Sequence, residues 1–124
     1  MQLRGWFLFA RNYFKYPKML GWIMPSSPFL IDEVLKRVEW DKAKLIVEYG
    51  PGVGTFTKEI LQRMRPDAML LALETNDEFV QFLRESISDS RLCIVHRSAE
   101  HIDRVMGQLN LPAADYVFRA CRSS

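Results

Sequence analysis

Apolar positions change their spacing near residue 45, and that change organises the chain. Before it they recur at helical intervals. Leu3, Trp6, Phe7, Phe9, Ala10, Tyr13 and Phe14 fill one broad face of a helix over about residues 3–16, with Arg4, Arg11 and Lys15 on a narrow strip beside it. Pro17 ends that helix. Ser27-Pro28 reads as an N-cap followed by proline at the first helical position. Phe29, Leu30, Val34, Leu35 and Val38 then supply the apolar stripe of a second helix.

From Leu45 short apolar runs alternate with amphipathic segments. Leu45-Ile46-Val47 predicts a first strand, Phe56, Ile60, Leu61 and Met64 a helix, and Ala68 to Leu73 a second strand. Pro66-Asp67 turns the chain between them. Asn76 or Asp77 can cap a helix carrying Phe79, Val80, Phe82, Leu83 and Ile87. Leu92 to Val95 predicts a third strand, and Ile102, Val105, Met106 and Leu109 a short helix. Asp115 to Phe118 predicts a fourth strand. Strands alternating with helices of this length imply βαβ units and a parallel sheet. The uninterrupted apolar strands agree, because parallel strands are covered on both faces. The fold class is therefore α/β. Residues 1–40 form an N-terminal helical segment and residues 41–124 the sheet domain, within a single folding unit.

Length and composition narrow the classes. The 124 residues are 48% apolar, enough for one domain with a core and too few for two. A net charge of +2 points to no partner by itself. Its distribution does more: no Asp or Glu precedes Asp32, while Arg4, Arg11, Lys15 and Lys18 fall in that stretch. Cys93 and Cys121 stand far apart without metal-ligand spacing, and Cys93, inside an apolar run, reads as a buried thiol. A reducing cytoplasm fits two such cysteines. The apolar run Trp6 to Ala10 is too short for a signal peptide core or a membrane span.

The most specific chemistry lies where the first strand meets its helix, in Glu48-x-Gly50-x-Gly52-x-Gly54. Glycines allow positive φ and let a ligand lie against the backbone. Such a loop sits outside the carboxyl end of a strand, where open α/β sheets bind ligands. Plain tight turns also use glycine. Glu74 strengthens the ligand reading: it ends the second strand about twenty residues later, where a carboxylate can accept from two ribose hydroxyls. The spacing is GxGxG, with Thr55 where a dinucleotide fingerprint has its third glycine, and no GxxxxGK[ST] occurs. An adenosine-type ligand without a pyrophosphate is the remaining expectation.

The runs IVEYGPGVGTFTKEIL, LLALETNDEF and IVHRSAEHI resemble motif I and the following segments of class I S-adenosylmethionine-dependent methyltransferases. Within that class they are similar to bacterial phospholipid N-methyltransferases and rRNA adenine dimethyltransferases. The upstream FARNYFKYPKMLGWIMPSSPFLIDEVL is similar to the phospholipid side. The resemblance implies a Rossmann-like three-layer sandwich with strand order 3-2-1-4, N-terminal helices, and S-adenosyl-L-methionine as cofactor. It implies that Glu48, Gly50 and Gly52 line the methionine end, with Gly54 and Thr55 also in the cofactor-binding loop, that Glu74 holds the ribose, and that Thr75, Ser98 and Ala99 border the adenine. The family often has Asp where Ser98 stands; a serine oxygen accepts a hydrogen bond more weakly than a carboxylate.

After the fourth strand the resemblance ends. Those families carry N-L-P-Y or a motif closer to S-G-L-P there, and this chain has Arg119-Ala120-Cys121-Arg122-Ser123-Ser124. It reads as a methyltransferase sheet truncated after strand four, with no assignable catalytic residue. A fourth strand without a neighbour leaves unpaired backbone groups, so a homodimer covering that edge is expected. The basic aromatic N-terminal helix suits an anionic membrane surface, which would hold a cytoplasmic protein peripherally at the inner membrane face, or packing against the sheet or a second subunit. Four cations make a small footprint for nucleic acid. Tyr16 and His101 read as an interfacial tyrosine and a surface histidine. The leading function is methylation of a phospholipid amine. The alternatives are a non-catalytic cofactor-binding or dimerising remnant, and an RNA adenine methyltransferase.

Overall fold

The computed structural model describes residues 28–119. The helix expected over residues 3–16, Tyr16 and Cys121 lie outside the described residues. The elements are α1 (Pro28–Leu35), β1 (Leu45–Tyr49), α2 (Thr55–Arg63), β2 (Met69–Leu73), α3 (Asp77–Ser86), β3 (Leu92–Val95), a 3-10 turn (Ala99–His101), α4 (Ile102–Gln108) and β4 (Tyr116–Arg119). The four strands form one sheet in the order β3-β2-β1-β4, every neighbour parallel. This is the expected order. Parallel neighbours need long crossovers, and α2, α3 and α4 supply them.

Strand alternation sorts the core into layers. Ile46 and Leu70, paired across β1 and β2, face Ile31, Leu35, Phe56, Ile60, Leu61 and Met64 from α1, α2 and the turn after it. Leu45, Val47, Leu71 and Leu73 face the other way, onto Val105 of α4 with Ile102 and Met106 beside it. Val53 of the glycine loop packs with Phe79 and Phe82 of α3. Helices thus cover both faces of the sheet, a three-layer arrangement.

The described part of α1 departs from the stripe read in the sequence. Phe29, Leu30 and Val34 are exposed, at 68%, 51% and 46%, while Ile31 and Leu35 are buried. Five of the helix's eight residues are large and apolar, so periodicity alone leaves its facing open. Packing on α2 decides it, and Arg63 at the end of α2 reaches Asp32 at 3.1 Å to hold that angle. Cys93 is half-buried rather than enclosed, because β3 is an edge strand of the sheet that the described residues form. Leu109 lies just past the end of α4 and is exposed.

β4 occupies the opposite edge and leans on aromatic contacts. Phe118 meets Phe56 edge-on at 5.4 Å and stacks with Tyr116 at 6.4 Å. The Tyr116 hydroxyl accepts from the Glu39 backbone N–H. Asp115 accepts from the N–H groups of Lys44 and Leu45 at 2.8 and 2.9 Å, which ties the starts of β1 and β4 together. Among the described residues β4 pairs with β1 alone. Val117, on its outer face, is 53% exposed.

Candidate functional site

In a parallel sheet all strand ends of one sense meet at one edge, and here the carboxyl ends of β1, β2 and β3 carry the loops singled out from the sequence. The first is residues 50–54. Gly50, Gly52 and Gly54 all have positive φ, at 70°, 60° and 87°. Gly50 N–H bonds to Leu73 O, which extends the β1–β2 ladder into the loop. Gly54 N–H bonds to Pro51 O and closes the turn; its carbonyl then accepts from Lys58 as the first bond of α2.

Gly54 shows why the loop needs glycine. A Cβ there would lie 2.8 Å from Leu83 Cδ2 and 3.0 Å from Ile87 Cδ1, so α3 packs directly on the bare Cα. Left-handed backbone adds its own penalty for any L side chain. Gly54→Ala is therefore expected to destabilise the fold by about 2 kcal/mol, part from φ and part from displaced side-chain ends. Urea denaturation measures it; unchanged stability would mean that the loop relaxes freely.

Glu74 follows β2 and is 5% exposed. Its backbone N–H bonds to Val95 O. Its two carboxylate oxygens accept from different loops: Oε1 from Gly52 N–H and Oε2 from Asn76 N–H, both at 2.9 Å. This carboxylate therefore joins the glycine loop to the turn before α3. An ionised carboxylate has about four acceptor positions, so each oxygen keeps room for one more donor. Burial raises the Glu74 pKa, against the lowering effect of the Asn76 and Gly52 N–H groups.

Glu48 lies beneath the same loop, fully buried on the α2 side of β1. Thr57 Oγ1 donates to its Oε1 at 2.6 Å, and its Oε2 has no partner. Burial pushes this carboxyl from 4.5 up to about 7, moderated by the Thr57 bond and reinforced by the charge of Glu74. Sequence reasoning placed Glu48 at the site and missed Thr57. The signal was present: Thr57 is a polar residue at i, i+4, i+7 spacing with Leu61 and Met64, on the buried stripe of α2.

After β3, Ser98 caps the 3-10 turn, its hydroxyl accepting from Glu100 N–H at 3.3 Å, and Ala99 begins that turn. Thr75 is exposed beside Glu74, and Thr55 is half-exposed as the first residue of α2. His96, also missed from sequence, sits between these loops: its Nε2 is 2.9 Å from Thr75 O. His101 is half-exposed at the start of α4, with a buried Nδ1 that lacks a partner. The structure thus brings Glu48, Gly50, Gly52, Gly54, Thr55, Glu74, Thr75, Ser98 and Ala99 to the carboxyl edge of the sheet, with Gly52 N–H bonded directly to Glu74.

This lining fits a cationic nucleoside. The buried Gly52 and Gly54 leave a floor without side chains there, two carboxylates offer acceptors, and Glu48 Oε2 is an orphaned acceptor below the loop. Two buried carboxylates would repel a pyrophosphate and attract a sulfonium or ammonium. Among the described residues no group of three or more His, Cys, Asp or Glu could hold a metal ion.

The chain is similar to known proteins in sequence and in fold. Residues 19–105 match the family model described as ribosomal RNA adenine dimethylase. The chain is 29% identical over 116 residues to ornithine lipid N-methyltransferase of Singulisphaera acidiphila, covering 93% of this chain and 60% of that protein. It is 30% identical over 91 residues to ribosomal RNA small subunit methyltransferase A of Clostridium botulinum, covering 73% of this chain and 32% of that one. The chain therefore spans less than two thirds of the length of either relative. Among solved structures, a protein of Klebsiella pneumoniae described as a putative O-methyltransferase superposes with a TM-score of 0.61 at 19% identity, over 94% of this chain and 52% of that one. A protein-L-isoaspartate O-methyltransferase does so with 0.59 at 16% identity, over 76% and 29%. At those identities the structures speak for the fold.

Proposed function

The chain belongs to the ribosomal RNA adenine dimethylase family of class I methyltransferases, whose cofactor is S-adenosylmethionine, and from that premise we propose that it serves methyl transfer to an amine of a lipid headgroup. The observation that carries the choice of acceptor is the extent of the likeness to the ornithine lipid enzyme, which runs over 93% of this chain against 73% for the rRNA enzymes. The basic aromatic stretch before Asp32 adds to it, since Trp and Phe beside Arg and Lys suit an anionic membrane surface. No helix among the described residues is long and apolar enough to cross a membrane. Attachment on this reading is peripheral, at the cytoplasmic face of the inner membrane.

In this reading Glu48, Gly50, Gly52, Gly54 and Thr55 hold the methionine end. Glu74 accepts from the ribose hydroxyls, and Thr75, Ser98 and Ala99 border the adenine. The bound cofactor supplies a methyl group on a positively charged sulfur. An amine nucleophile needs little acid–base help, so positioning provides much of the acceleration. On this reading a second copy of the chain covers the edge of β4 that is unpaired among the described residues, and sedimentation as a monodisperse monomer at micromolar concentration would count against that pairing.

The test is transfer of a labelled methyl group from S-adenosylmethionine to liposomes containing an amine headgroup, with RNA as the parallel acceptor. Label is expected in the lipid amine. Label in RNA adenine alone would favour the second reading, which the family match supports. Cofactor binding without transfer to either acceptor would mark a non-catalytic binder.

A further inference from the structure

His96 stands where three parts of the site meet. It is the residue immediately after β3, one step beyond Val95, whose carbonyl accepts the Glu74 N–H. Its Nε2 lies 2.9 Å from the carbonyl oxygen of Thr75. An acceptor carbonyl demands a donor, so the ring carries its proton on Nε2. Its Nδ1 faces the Asp77 carboxylate at 3.9 Å, at the first turn of α3. The ring is 45% exposed, so little core packing explains its position.

The turn that His96 grips is short. Glu74 Oε2 accepts from Asn76 N–H, and the Asn76 side chain accepts from Phe79 N–H to cap α3. Both bonds are local, between residues two or three apart. The Glu74 N–H to Val95 O bond fixes the residue before the turn. Thr75 is the exposed apex. The His96 bond joins that apex itself to the residue that follows β3.

We infer that His96 is a positioning residue of the nucleoside site, which holds the Glu74–Asn76 turn through the Thr75 carbonyl so that the Glu74 carboxylate and the Thr75 edge are presented together to the ribose and base. This inference rests on the cofactor reading of the site. A hydrogen bond from one ring nitrogen sets a strict requirement: the donor must reach as far as Nε2. A glutamine amide nitrogen stands at nearly that distance from Cα. An asparagine amide falls short, near the Nδ1 position.

Calorimetric titration with S-adenosylhomocysteine, the demethylated cofactor, distinguishes the possibilities on the full chain. His96→Ala is expected to bind about tenfold more weakly, the scale of one net hydrogen bond. His96→Gln should recover most of that loss, and His96→Asn should resemble the alanine variant. Thermal melts without ligand should place all three variants close to wild type, as expected for a half-exposed side chain. Equal affinity of His96→Ala and wild type would overturn the inference, as would Gln and Asn behaving alike. Absence of binding by the wild type would instead overturn the cofactor reading itself, so the two failures are separable.

Discussion

Replacing Glu74 with alanine is expected to weaken S-adenosylmethionine binding by about 2–3 kcal/mol, roughly 30- to 150-fold, with two charge-assisted hydrogen bonds to ribose hydroxyls as the cause. The structure sharpens the expectation. Glu74 serves both loops at once, taking Gly52 N–H on one oxygen and Asn76 N–H on the other. Removing it leaves two donors at the site without their acceptor, so loop geometry suffers along with ribose contact. Glu74→Gln is not a conservative rescue: its amide nitrogen must confront one of the two backbone N–H groups, donor against donor. Both variants should therefore bind weakly, and Gln should recover little. Calorimetry on protein shown to be folded by circular dichroism measures this. Affinity within twofold of wild type for Glu74→Ala would remove the carboxylate from the ribose.

The second large effect concerns pH. Glu48 is driven from 4.5 up to about 7, chiefly by burial. An acid whose folded pKa is raised keeps more protons in the folded state between those two values. Stability is then full below about pH 4.5, declines as pH rises to about 7, and levels off above. The span corresponds to roughly 3 kcal/mol. Glu74 is raised in the same direction and adds to the slope. Asp67, Asp89 and Asp115 are lowered by hydrogen bonds to Arg65, Arg91 and the backbone N–H groups of Leu45 and Lys44, so they act in the opposite sense, and only in more acid solution. Urea denaturation of the ligand-free protein should accordingly show lower stability at pH 8 than at pH 5. Glu48→Gln should flatten that difference, because it retains an acceptor for Thr57 and cannot ionise. A cationic cofactor favours the ionised carboxyl, so its affinity should rise over the same interval. A pH-independent stability in wild type would show that water reaches Glu48 Oε2.

Much of this was legible in the residues alone, for identifiable reasons. The runs Leu45–Val47, Ala68–Leu73 and Leu92–Val95 are continuous and apolar, which buried parallel strands require, and each falls on an observed strand within a few residues. Asn76 was named as a possible cap and does cap α3. The GxGxG spacing carried the turn, because positive φ at Gly50, Gly52 and Gly54 admits few other residues. Where most positions are apolar the pattern is silent: in α1 the residues read as a buried stripe include Phe29, Leu30 and Val34, all exposed.

What the sequence by itself determined is therefore local: strand and helix identity, the glycine turn, and the acidic residue that closes β2. These follow from periodicity and backbone sterics, which act over a few residues. Only the tertiary structure decided which face of α1 is buried, that Thr57 reaches Glu48, that one carboxylate bridges Gly52 and Asn76, and that His96 grips the Thr75 carbonyl. Each of those joins residues from different elements or loops. Their energy comes from burial and hydrogen bonds formed across the assembled sheet edge, which no local pattern encodes.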